Sequence, residues 1–68
     1  MNEEVLNSSL RKFLKTVGVT SQREIEKAIR NAVAGGRIKG NEALKAKMVL
    51  TIGEVGLSRE IDGTIEIE

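Results

Sequence analysis

The hydroxyls of Ser8, Ser9, Ser21 and Ser58 are the side chains of this sequence best suited to covalent chemistry, and they lack the partner such chemistry needs. A serine attacks a carbonyl or phosphoryl centre when a neighbouring base takes its proton, and the usual base is an imidazole. The chain has no His and no Cys. A lysine serves as base only where burial lowers its pKa, and every lysine here sits in a polar stretch where its amine stays protonated. These residues predict a protein without catalytic residues, not an enzyme.

Metal and cofactor chemistry meet the same shortage. Without His or Cys the usual zinc ligand sets cannot form. Glu66 and Glu68 share one face of a strand, as carboxylates around a hard cation would. Lys45 and Lys47 on a neighbouring strand account for them as ordinary ion-pair partners, so no metal and no cofactor is expected. The run Gly35-Gly36-Arg37-Ile38-Lys39-Gly40 has the look of a phosphate-cradling loop. It lacks the G-x-x-x-x-G-K-[ST] order, has no hydroxyl after the lysine to hold magnesium, and follows a helical pattern where such a loop follows a strand. It reads as a helix stop followed by a connector, and no small-molecule ligand is predicted.

Charge is the remaining chemistry. The net charge is +1, yet residues 11–47 hold ten Lys/Arg against three acids, and residues 48–68 hold one Arg against five acids. Arg23, Lys27 and Arg30 recur at i, i+4 and i+7, which places them on one face of a helix, and Arg37 and Lys39 follow in the connector. Such a face can neutralise phosphates. Glu24 and Glu26 interrupt it, Glu26 and Arg30 are spaced as an i, i+4 pair, and the single aromatic residue, Phe13, offers little for base stacking.

The elements that position these residues follow from hydrophobic period. Leu6, Leu10, Phe13, Leu14 and Val17 form one stripe at helical spacing, Asn2 is placed to cap it, and Glu3 and Glu4 suit the positive end of the helix dipole. Gly18 is a candidate stop, so the first helix is predicted over about 3–17. Ser21-Gln22-Arg23-Glu24 has the form of a capping box, Ile25, Ala28, Ile29, Ala32 and Val33 form a second stripe, and Gly35-Gly36 ends it, predicting a second helix over about 22–34. After Asn41 the period changes to two. The even positions Leu44 to Ile52 are apolar, and Ile61, Gly63, Ile65 and Ile67 alternate with polar residues, predicting an antiparallel β-hairpin of strands about 44–52 and 61–67. Setting Met48 opposite Ile65 also sets Lys47 opposite Glu66 and Lys45 opposite Glu68, and cross-strand pairs of this kind contribute about 0.2–1 kcal/mol each. A shift of two residues keeps the same faces aligned.

The expectation is a single α+β domain, residues 1–68, with two N-terminal helices packed on the hairpin. At this length about 60% of the unfolded surface can be buried, and no disulfide or zinc site is available to reinforce the core. Two open sheet edges add a further reason to associate, so a homodimer or an unknown protein partner is expected. The acidic start, Met1-Asn2-Glu3-Glu4, and the absence of an apolar run near the ~20 residues that span a bilayer predict a cytoplasmic protein with no membrane partner. The leading function is non-enzymatic protein–protein association or self-association. The alternative is weak nucleic-acid binding through Arg23, Lys27, Arg30, Arg37 and Lys39.

Two resemblances bear on this reading. Residues Phe13 to Ser21, with Gly18 at the bend, resemble the turn of a helix-turn-helix, although Leu14 and Glu24 stand where that family has a small and an apolar residue. More extensively, Arg11-Lys12-Phe13-Leu14-Lys15, Val17 to Ala28, Lys39 to Lys47 and Ile61-Asp62-Gly63-Thr64-Ile65 resemble a family of roughly 70-residue bacterial proteins of unknown function. That resemblance covers nearly the whole chain. It implies a small free-standing bacterial cytosolic protein and implies no activity, cofactor or site.

Overall fold

The computed structural model describes residues 1–68, which fall into two compact units, Met1–Gly35 and Gly36–Glu68. The first unit is one α-helix, α1, Glu3–Ala34, of 32 residues, about 48 Å long at 1.5 Å per residue. Asn2 caps it as expected: its Oδ1 accepts from the N–H of Glu4 at 3.0 Å and of Val5 at 3.1 Å. Glu3 and Glu4 occupy the first turn. At the other end Gly35 is the C-cap and its N–H donates to the Asn31 carbonyl at 2.9 Å. Gly36 then takes φ 75°, a left-handed turn that L side chains rarely adopt.

The two predicted helices, 3–17 and 22–34, are therefore one. Their apolar stripes are in phase: Leu10 and Ala28 lie 18 positions apart and Val17 and Ala28 lie 11 apart, close to five and three turns at about 3.6 residues each. A helix that continues through Gly18 keeps both stripes on one side. Gly18 costs about 1 kcal/mol against alanine in a helix interior, whereas a break would release up to four N–H and four C=O groups. Ser21 consequently lies inside the helix, half-buried on the stripe between Val17 and Ile25, and the capping-box spelling has no helix start to cap. Thr16 also turns inward on the backbone, its Oγ1 donating to the Lys12 carbonyl at 3.1 Å. Continuity removes the helix-turn-helix likeness, since there is no turn.

The second unit is a two-stranded antiparallel sheet, β1 Ala43–Ile52 and β2 Leu57–Glu66, joined by a short 3₁₀ turn over Gly53–Val55. The second strand starts four residues earlier than predicted, and Met48 stands opposite Ile61 rather than Ile65. Lys47 is opposite Asp62 and Lys45 is opposite Thr64. The turn decides this. Gly56 sits at φ 66° in the left-handed region and its N–H donates to the Gly53 carbonyl at 3.1 Å, so the chain reverses within Gly53–Gly56. Ile52 is thereby set opposite Leu57.

This register sorts the hairpin into two faces. Leu44, Met48, Leu50 and Ile52 share one face with Leu57, Ile61 and Ile65, and Arg59 is the single charge among them. Lys45 and Lys47 share the other with Glu60, Asp62 and Glu66, and Lys47 Nζ reaches Glu60 Oε2 diagonally at 3.4 Å. No side chain of either unit is buried. Half-buried positions recur along α1 at Val17, Ser21, Ile25, Ile29 and Ala32, and in the hairpin at Leu44, Ala46, Leu50 and Ile65.

Candidate interaction surfaces

The basic residues singled out from the sequence divide between the two units. Arg23, Lys27 and Arg30 share the polar face of α1, opposite the apolar stripe, while Arg37 and Lys39 belong to the connector that opens the second unit. On the helix Glu26 is held between neighbours one turn away on each side. It accepts from Gln22 Nε2 at 3.1 Å and pairs with Arg30 at 3.6 Å, the i, i+4 pairing expected. That pair is exposed and contributes only a few tenths of a kcal/mol, roughly 0.3–0.5. Arg23 and Lys27 have no acidic partner within salt-bridge distance. Because α1 is continuous, Lys12 joins the same face: it lies 18 positions before Arg30, about five turns. Lys15 and Arg23 border a shallow open depression floored by Thr16, Val19 and Thr20. The separate-helix reading hid this longer basic row, since it gave Lys12 and Arg30 no common phase.

The connector holds an anion site that its own chain fills. The backbone N–H groups of Lys39, Gly40 and Asn41 all donate to the carboxylate of Glu42, at distances from 2.9 to 3.2 Å. Gly40 reaches this arrangement at φ 99°. The hydrogen bond from Lys39, ahead of those from its neighbours, holds the Glu42 carboxyl below its ordinary range. The likeness of this glycine-flanked segment to a phosphate loop thus has a physical basis: the backbone does cradle an anion. Nothing in the sequence pattern marked Glu42 as that anion except its place two residues after a glycine.

The apolar surfaces are the largest feature left. On α1, Leu6 is 38% exposed, Leu10 44%, Phe13 53% and Leu14 59%; on the hairpin face Met48 is 42% and Ile61 54% exposed. The sheet face also has a shallow dip where Gly63 lies opposite Ala46 and neither residue carries a side chain beyond Cβ. No three His, Cys, Asp or Glu residues stand close enough together to hold a metal ion, and no helix is long and apolar enough to cross a membrane.

What these surfaces offer is contact area and charge, with no constellation specific to one reaction. Searches among curated proteins and among solved structures found no match. One family model, described as a family of unknown function (DUF6494), matches residues 1–68. The match runs through the amphipathic helix, the self-filled connector and the hairpin alike, and on that evidence the chain belongs to this family of unknown function, DUF6494.

Proposed function

We propose that this chain is a non-enzymatic association module whose apolar helix stripe and sheet face are covered by protein. The observation that carries the reading is that none of its residues is buried, although 40% of them are hydrophobic. Apolar burial is the main favourable term in folding, at about 25 cal/mol per Å², and surfaces left open in this way are characteristic of chains completed by a partner. The test is the mass in solution, by sedimentation or light scattering at micromolar concentration, alongside the unfolding transition. A mass above 7.4 kDa that falls to 7.4 kDa together with loss of structure on dilution is expected. A monomer with a cooperative, concentration-independent unfolding transition would overturn the reading.

A second reading is favoured by the basic row of α1. Lys12, Arg23, Lys27 and Arg30 lie along one side of a helix with Arg23 and Lys27 unpaired, and Arg37 and Lys39 extend the basic segment in sequence. Nucleic-acid binding through this row would depend steeply on salt. Retention on heparin or duplex DNA at low salt, lost when Arg23, Lys27 and Arg30 are all changed to Glu, would support it, and passage without retention at low salt would count against it.

A further inference from the structure

We draw no further inference here: the strongest candidate, the outer edge of β1 in the two-stranded sheet, has no third strand of this chain to pair with, and nothing in the structure shows what covers it.

Discussion

Glu42 shows how a single residue organises a connector that carries almost no side-chain packing. Its carboxylate collects three consecutive backbone N–H groups that would otherwise turn to water, and Gly40 supplies the positive φ that lets them converge. The bonds favour the charged form, chiefly the one from Lys39, so the folded-state pKa lies below the ordinary value of 4.5. A depressed folded-state pKa contributes stability that is present above the ordinary value and is lost as pH falls below it through the lower folded-state value. A carbon-13 titration of the Glu42 carboxyl should accordingly show a midpoint below 4.5, with the amide shifts of Lys39, Gly40 and Asn41 moving in step. Glu42→Gln should abolish that coupled movement and loosen the connector even at neutral pH. An unshifted midpoint, or amides indifferent to it, would mean the carboxylate is solvated rather than cradled.

At the scale of elements, the glycines separate by backbone torsion and not by residue type. Gly18 lies in the middle of α1 with open space where a Cβ would stand, whereas Gly56 closes the hairpin at φ 66°. Gly18→Ala should therefore stabilise the helix by about 0.5–1 kcal/mol. The same change at Gly56 should destabilise the hairpin by about 1–2 kcal/mol, the cost of a left-handed L residue. Denaturant unfolding with helical and strand signals followed separately measures both. A destabilising Gly18→Ala would restore the break between residues 17 and 22 that its sequence surroundings suggested. The same distinction explains what was legible here. Both stripes, the Asn2 cap and the stop at Gly35-Gly36 were readable because each is local and repeated, while the fate of Gly18 depended on whether the stripes on its two sides shared a phase. The register was hidden for a related reason: alternation aligns faces equally well at every two-residue shift, and only the tight turn over Gly53–Gly56 selects one.

For the molecule as a whole, stability should depend on concentration. No side chain of either unit is buried, and a protein partner covering these surfaces, as proposed above, would add stability by mass action. On the proposed association, raising the protein concentration a hundredfold should raise Tm measurably, and Leu10→Glu should lower it and weaken that dependence, since a charge placed on the stripe would be desolvated under a partner. A Tm unchanged over that range, read by circular dichroism at low and high concentration, would show that the chain is stable by itself. The basic face belongs to this scale too. It was visible in the sequence as Arg23, Lys27 and Arg30, yet its reach back to Lys12 emerged only once α1 proved continuous.

The sequence by itself determined the class of chain: an α+β protein with an amphipathic helical part capped at Asn2, an alternating hairpin, no imidazole or thiol, and a basic middle followed in sequence by an acidic end. These follow from composition and from periods that repeat over many residues, where small preferences add. Only the three-dimensional arrangement decided that Gly18 is crossed rather than obeyed, that Met48 meets Ile61, and that Glu42 fills the glycine-flanked loop. Each of those is a choice between local signals worth about 1 kcal/mol. The helix phase, turn geometry and backbone hydrogen bonds that settle such a choice are properties of residues brought together, and no residue carries them alone.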